Sequence, residues 1–121
     1  MLFVEYPKCS TCRKAKKWLD DHGFEYVDRH IVEQNLSAQE IRDLQVQSGL
    51  PISRFINTSG KLYREMGLSK KLPIMSNFEI FTLLGSNGML VKRPILVEGD
   101  TILVGFKEAE WEAKLLSQDA L

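Results

Sequence analysis

The feature that most constrains how this chain folds is a pair of cysteines at the junction between a predicted strand and a predicted helix. Leu2–Tyr6 is a short apolar run closed by a proline, which is typical of a buried strand. Cys9 and Cys12 follow directly. Apolar positions then recur at helical spacing over Ser10–His22, and Gly23 ends the helix. The chain therefore begins with a strand and a helix, and the cysteines occupy the turn between them.

A second strand is predicted after this helix. Phe24–Asp28 alternates apolar and polar residues, as a half-buried strand does. Because strand, helix and strand in this order form a right-handed crossover, the two strands should lie parallel in one sheet.

The middle of the chain is predicted to be helical because it carries two capping boxes. Ser37–Glu40 opens a helix that should run to Gly49. Ser76–Glu79 opens another helix, which Gly85 should close. A shorter helix is predicted between them over Lys61–Met66.

The end of the chain carries a predicted hairpin and a last helix. Ile95–Glu98 and Thr101–Val104 flank Gly99-Asp100, a pair suited to a type II′ turn, so these strands should be antiparallel. The last helix is predicted over Lys107–Ser117, and the residues expected to face the core are Phe106, Ala109, Leu115 and Leu116.

Together these elements predict an α/β fold of the thioredoxin type. Their order is β-α-β, a helical insert over about residues 35–90, then β-β-α, which builds a four-stranded mixed sheet with flanking helices. We expect one domain over residues 1–121, because a chain of this size buries its apolar residues in a single core.

Composition narrows the range of partners. Lys and Arg total 16 and Asp and Glu total 16, so no net charge attracts the chain to nucleic acid or to an anionic membrane. The longest apolar runs, such as Pro94–Val97, are too short to cross a bilayer, and Met1–Val4 is unlike an export signal. Only two cysteines are present, which favours a reducing, cytoplasmic setting. We expect a monomer.

The cysteine motif indicates redox chemistry. Cys9 lies at the predicted helix start, where free backbone N–H groups and the helix dipole stabilise a thiolate. Lys8 and Arg13 can add positive charge that stabilises the thiolate further, which makes Cys9 the predicted nucleophile. Cys12, one turn later, is predicted to be the resolving thiol that attacks a mixed disulfide on Cys9.

The cysteine pair has two other interpretations. The cysteines could be small buried residues without chemistry, and this alternative stays open. A C-x-x-C can also be half of a zinc site, but no second C-x-x-C occurs and neither His22 nor His30 stands at ligand spacing. We therefore predict no metal, and interpret His22 as a helix-end residue and His30 as a loop residue.

Arg93 and Pro94 form the second candidate site feature. A proline that enters a strand lacks an N–H and can adopt a cis bond, and in a thioredoxin-type sheet this bend faces the cysteines. Arg93 could then hold an anion near Cys9, so both residues are predicted to position substrate. An ordinary strand-start proline and a solvated arginine are the alternatives.

Three sequence blocks resemble one known group, the arsenate reductase (ArsC) and Spx family of thioredoxin-like proteins. They are similar in order and content to that family's motifs, and the likeness covers nearly the whole chain. The C-x-x-C makes the chain most similar to the less characterised members that carry this motif. The blocks are Tyr6–Ala15, Gly60–Leu68 and Gly88–Val97.

The resemblance to arsenate reductases implies a nucleophile at Cys9 that attacks the oxyanion, with glutathione and glutaredoxin completing the cycle. In those enzymes three arginines hold the anion, and Arg93 matches one of them. Asn57, or a neighbour, and Phe106 align with the other two. An arsenate cradle is therefore expected to be incomplete.

Cys12 resembles the Spx branch instead, which implies a redox-sensing regulator that binds the C-terminal domain of the RNA polymerase α subunit. Against this branch, Ser59-Gly60 stands where an arginine is expected.

The function we predict first is a thiol–disulfide oxidoreductase acting on a small thiol or a protein disulfide. It would bind no cofactor and would use glutathione, thioredoxin or glutaredoxin as external reductant. The Spx-like regulator and arsenate reduction are the alternatives.

Overall fold

A four-stranded mixed sheet forms the centre of the protein, and the computed structural model describes residues 1–116. The strand order is β2-β1-β3-β4. β1 pairs parallel with β2 and antiparallel with β3, and β3 pairs antiparallel with β4. This is the predicted α/β thioredoxin-like sheet. The strands are β1 (Leu2–Glu5), β2 (Val27–His30), β3 (Ile95–Glu98) and β4 (Thr101–Val104).

Six α-helices and three short 3₁₀ segments surround the sheet within residues 1–116. Between β2 and β3 lies the helical insert, which runs from α2 to the last 3₁₀ segment. The helices are α1 (Ser10–Asp21), α2 (Ala38–Ser48), α3 (Lys61–Glu65), α4 (Leu68–Lys71), α5 (Asn77–Ser86) and α6 (Glu108–Leu115), and the 3₁₀ segments are Ile52–Phe55, Leu72–Ile74 and Gly88–Leu90.

Both predicted capping boxes are present. The Ser37 hydroxyl accepts from the N–H of Glu40, whose carboxylate accepts from the N–H of Ser37. Ser76 and Glu79 make the same reciprocal pair at the start of α5. Each box satisfies two N–H groups that the first turn leaves free, and therefore sets where its helix begins.

The second strand begins three residues later than the alternating pattern predicted, at Val27. Phe24 and Tyr26 do pack against the apolar cluster beneath α1, which is why the segment alternates. The N–H of Phe24, however, donates to a carbonyl near the end of α1, and the pairing with β1 starts at Val27. His30 consequently ends β2, and the prediction of a loop residue there was wrong.

Gly85 lies inside α5 and does not end it as a left-handed residue, so that prediction was also wrong. A Cβ atom at position 85 would lie 2.5 Å from the backbone nitrogen of Ala38 at the start of α2. Only glycine allows α2 and α5 to approach this closely, so the glycine is a packing requirement.

Two apolar clusters cover the two faces of the sheet. The helical insert packs on one face around Phe55, Leu84 and Val91, together with Val4 of β1. On the other face, α1 and α6 pack over Phe3 of β1. The residue that anchors α6 is Trp111, which is fully buried, whereas Ala109 is exposed, contrary to the prediction for that helix. The members of this second cluster are Phe3, Ala15, Trp18, Leu19, Leu96, Leu103 and Trp111.

The hairpin turn and the last helix follow the predicted order. Gly99 has a φ of 57°, and Asp100 does not share its positive φ, so the turn is compatible with the glycine-first type. The final helix ends at Leu115, and the predicted end at Ser117 falls outside the described residues. None of the helices within residues 1–116 is long and apolar enough to span a membrane.

Candidate active site at the cysteine pair

Cys9 is the residue that precedes the first turn of α1, as the sequence predicted. Its φ and ψ are −84° and 125°, the extended conformation of a helix N-cap. The N–H of Cys9 donates to the carbonyl of Tyr6 over 2.9 Å, which ties the cysteine to the end of β1. No side chain caps this helix, so the N–H groups of the first turn stay available to a thiolate.

The pKa of the Cys9 thiol lies below its ordinary value. Partial burial acts against ionisation, but hydrogen bonds from the backbone N–H groups of Cys12 and Thr11 more than compensate for it. The Cys12 thiol and the Arg93 side chain also hydrogen-bond to Cys9 and lower its pKa further. Cys9 is half-buried, so its sulfur combines thiolate character with access from solvent.

Cys12 has the opposite properties. Its side chain is fully buried. Burial, with smaller effects of the Cys9 thiolate and of Glu5, raises the pKa of Cys12 to about 12, although the N–H of Tyr6 hydrogen-bonds to the sulfur. The two thiols are free in this structure. One sulfur is therefore poised to attack and the other is protonated until a base removes its proton.

Arg93 and Pro94 lie beside this pair. The Arg93–Pro94 peptide is cis, as predicted, and Pro94 is buried. The Arg93 guanidinium lies 5.2 Å from the centre of the Tyr6 ring and donates to the carbonyl of Met89 over 3.2 Å. These contacts hold the guanidinium in reach of the Cys9 sulfur.

Lys8 and Arg13 are both exposed at the surface near Cys9. The interactions that lower the pKa of Cys9 come from the backbone of α1, from Cys12 and from Arg93. The cationic side chain whose hydrogen bond lowers the pKa of Cys9 is thus Arg93.

A cavity of about 740 Å³ opens onto Cys9. Its cationic lining residues are Arg54, Lys92, Arg93 and Lys107, and no acidic residue among residues 1–116 lines it. Sequence reasoning identified only Arg93 among these four. Asn57 and Phe106 also line this cavity. The resemblance to arsenate reductases aligned Phe106, and Asn57 or a neighbour, with two further arginines. The remaining lining residues are Thr11, Ser59, Gly60, Val104 and Gly105.

Arg54 could not have been found from local sequence. It lies in the 3₁₀ segment after α2, and its guanidinium makes a long hydrogen bond of 3.4 Å to the carbonyl of Val104 on β4. These residues are 50 positions apart. Only the return of the insert across the sheet brings this cation to the cavity.

Glu5 is a second residue that the sequence analysis did not single out. It is the last residue of β1 and is 3% exposed. Burial, followed by a hydrogen bond and charge repulsion from Asp28, raises the pKa of Glu5 to about 7, against the attraction of Lys16. A signal was present in the sequence, because a charged residue interrupts an otherwise apolar strand.

No three His, Cys, Asp or Glu side chains of residues 1–116 are grouped as a metal site requires.

Comparison with known proteins gives matches over most of the chain. The ArsC family model matches residues 4–114. The uncharacterised protein YusI of Bacillus subtilis is 51% identical over 112 residues, which are 93% of this chain and 95% of YusI. The global transcriptional regulator Spx of Staphylococcus aureus is 30% identical over 105 residues, 86% of this chain and 78% of Spx. An ArsC-family-related protein of Bacteroides fragilis superposes with a TM-score of 0.89 and 51% identity, over 93% of this chain and 94% of that one.

Proposed function

This chain belongs to the ArsC family, and we propose that within it the protein works as a thiol–disulfide oxidoreductase of the cytoplasm. The observation that carries the proposal is the contrast between the two sulfurs. Cys9 is accessible with a lowered pKa, whereas Cys12 is buried with a pKa of about 12. A nucleophile and a resolving thiol need these different properties.

The reaction proceeds in two exchanges. The Cys9 thiolate attacks one sulfur of a disulfide, a Cys9–substrate disulfide forms, and the other half leaves as a thiolate. Cys12 then loses its proton and attacks the sulfur of Cys9, which releases the second half as a thiolate and forms the Cys9–Cys12 disulfide. Two electrons pass from the cysteine pair to the substrate disulfide, and an external thiol reductant returns them.

The cavity supports a small anionic substrate or reductant. In the described part of the chain, four cationic side chains and no carboxylate line it, so a carboxylate-bearing thiol such as glutathione is complementary in charge. Arg93 and Pro94 would position the part of that molecule next to Cys9. Thioredoxin or glutaredoxin could replace glutathione as reductant, and a protein disulfide could replace the small substrate.

The test is turnover with defined variants. The protein is incubated with a small disulfide and either reduced glutathione or thioredoxin, and consumption of reductant is followed. Wild-type protein should turn over, Cys9→Ser should be inactive, and Cys12→Ser should stop at a trapped mixed disulfide. Equal activity in wild type and Cys9→Ser would overturn the proposal.

A redox-sensing regulator is the second candidate, because Spx is 30% identical over 105 residues. In that case the same cysteine pair would switch binding to the RNA polymerase α subunit. The test is capture of the purified α C-terminal domain by the protein with its cysteines reduced and oxidised. Redox-dependent capture without cysteine-dependent turnover would favour this candidate over the oxidoreductase.

Arsenate reduction is the third candidate, and the cavity supports it less well. Asn57 and Phe106 stand in the cavity where the family's reductases are expected to carry arginines. Arg54 and Lys107 add cations at other points of the lining. Adding arsenate to the turnover assay tests it, and an unchanged rate of reductant consumption would exclude this activity.

A further inference from the structure

Glu5 stands out as the one charged side chain buried in the described part of the chain. Side chains alternate along a strand, so Glu5 shares a face of the sheet with Phe3. Phe3 packs in the cluster of α1 residues that includes Ala15 and Leu19. Glu5 therefore lies beneath the first turns of α1, on the side that carries Cys12. The charge interaction between Glu5 and Cys12 is consistent with this placement.

Glu5 is connected to the surface through a second carboxyl group. Its side chain hydrogen-bonds to that of Asp28 on β2. Two carboxyl groups can share such a bond only when one of them carries a proton. Lys16 of α1 lies 3.3 Å from the Asp28 carboxylate and 2.8 Å from the hydroxyl of Tyr26. Because the Asp28 side chain is 39% exposed, this chain of groups leads from the buried site to solvent.

We propose that Glu5 is the proton acceptor for Cys12 in the resolving step, and that Asp28 passes the proton on to solvent. The proposal deepens the oxidoreductase function and rests on it, since it assigns the base that the second exchange requires. The Cys12 thiol is fully buried and therefore out of contact with bulk solvent, and a buried carboxylate that interacts with it is suited to take its proton.

In the resolving step, the S–H bond of Cys12 breaks, and its proton goes to the Glu5 carboxylate. The Cys12 thiolate forms a bond with the sulfur of Cys9, while the bond between Cys9 and the substrate sulfur breaks. The substrate leaves as a thiolate with the electron pair of that bond. Glu5 then releases the proton through Asp28, so the group is returned to its starting state.

The pH dependence follows from the groups around Glu5. From β2, Asp28 faces it and His30 is its neighbour in register; from α1, Lys16 and Cys12 face it. On the side of β3, the register continues from the Val4–Ile95 pair to place the uncharged Pro94 opposite Glu5. The Arg93 side chain lies over the ring of Tyr6, the residue after Glu5. Glu5 is protonated below about pH 7 and ionised above it. The resolving step should accelerate as pH rises through about 7 and then level off.

The experiment isolates the second exchange with a chromogenic aryl disulfide whose leaving thiolate is coloured. Attack by Cys9 releases one coloured thiolate in a first phase, and attack by Cys12 on the mixed disulfide releases another in a second phase. Cys9 has no proton to lose in the mixed disulfide, so the pH profile of the second phase reports Cys12 and its base. We expect Glu5→Gln to slow this phase by roughly tenfold or more at about pH 7 and to remove the rise centred there.

Three further variants test whether the effect on the second phase is due to the Glu5 carboxylate. Glu79→Gln, the same change in an exposed capping box, should leave both phases as in wild type. Glu5→Asp should recover part of the second phase. Burial is the largest cause of the raised pKa of Glu5, and Asp28→Asn removes the second one. The rise in the second phase should therefore move to lower pH, and this test holds even if Glu5→Gln does not fold.

One outcome would contradict the proton-acceptor role of Glu5, and another would contradict the oxidoreductase function. A second phase that keeps its rate and its pH profile in both Glu5→Gln and Asp28→Asn would exclude the proton-acceptor role while leaving the oxidoreductase intact. The absence of any second phase that depends on Cys12 in wild-type protein would instead count against the proposed function itself.

Discussion

The backbone N–H of Tyr6 donates a hydrogen bond to the sulfur of Cys12 over 3.5 Å. The carbonyl of the same residue accepts from the N–H of Cys9 over 2.9 Å. One residue directly after β1 therefore contacts both cysteines, and it does so with its backbone groups. This arrangement allows one sulfur to reach the cavity while the other stays beneath the helix.

The two thiols should differ strongly in alkylation. The single variants Cys12→Ser and Cys9→Ser each leave one thiol, and their reaction with iodoacetamide is followed against pH. Cys9 should react with a midpoint below the usual thiol pKa, because the N–H groups of α1 stabilise its thiolate. Cys12 should stay unreactive up to high pH in the folded protein and react readily in denaturant. Similar profiles for the two folded variants would contradict the contrast.

Arg93 should matter more to the Cys9 thiolate than the cations next to the motif. Arg93→Met removes a hydrogen bond to Cys9 and should raise the pKa of Cys9, so alkylation near pH 7 should slow. Arg13→Met and Lys8→Met are the matched controls, and we expect both to leave the alkylation midpoint near that of wild type. A larger effect of Arg13→Met than of Arg93→Met would show that the flanking cations act on the thiolate after all.

The cationic cavity should discriminate by substrate charge. Arg54→Gln and Lys107→Gln should each raise KM for a carboxylate-bearing disulfide by about threefold at low salt, the size expected for one partly screened charge. The effect should fade as salt is added. An uncharged disulfide should show little change, and Lys70→Gln, on the exposed surface of α4, should behave as wild type. Equal KM changes for charged and uncharged disulfides would speak against an anion site.

Gly85→Ala should destabilise the protein although alanine is the better helix former. A Cβ atom at this position meets the backbone of Ala38, which cannot move aside as a side chain could. We expect a loss of about 1–3 kcal/mol in the free energy of unfolding, measured in urea. Thr82→Ala, on the exposed face of the same helix, is the control and should change stability little. A stability gain in Gly85→Ala would mean that α2 and α5 are not in close contact.

The ion pair between Arg29 and Glu40 should contribute to acid sensitivity. Arg29, followed by the N–H of Ser37, lowers the pKa of Glu40 to about 2. A carboxyl group with a lowered folded-state pKa stabilises the protein above its ordinary value of 4.5 and loses this contribution as pH falls towards 2. Both side chains are partly exposed, so the contribution should not exceed about 1 kcal/mol. Unfolding measured between these pH values should therefore be less pH-dependent in Glu40→Gln, and parallel curves would contradict this.

Features encoded by neighbouring residues were predictable. The capping boxes at Ser37 and Ser76 and the turn at Gly99 each depend on groups within a few positions of each other. The position of Cys9 at the start of α1 depends on a proline and an amphipathic pattern in the same stretch of chain. These predictions were correct because local hydrogen bonds and side-chain periodicity determine such features.

Features that join distant segments were not predictable in the same way. β2 begins at Val27 and not at Phe24 as predicted, because pairing with β1 decides where the strand begins and alternation of side chains does not. Gly85 is required by the approach of α2, and a glycine near a helix end looks the same in sequence whether it caps or packs. Both predictions were wrong because they considered only the neighbouring residues in sequence, whereas contacts with a distant segment decide the outcome.

The sequence by itself determined the order of the elements, the family and the residue predicted to act as the nucleophile, because these rest on short motifs. The tertiary structure decided which other groups surround that nucleophile. Arg54 and Lys107 reach the cavity only when the insert and the segment before α6 pack against the sheet. Glu5 becomes a buried acid only when α1 covers its face of the sheet. Burial and charge proximity set a pKa, and both depend on contacts between residues far apart in the chain. The burial that raises the pKa of Cys12 is therefore a property of the fold, whereas the helix start that lowers the pKa of Cys9 is encoded in the motif.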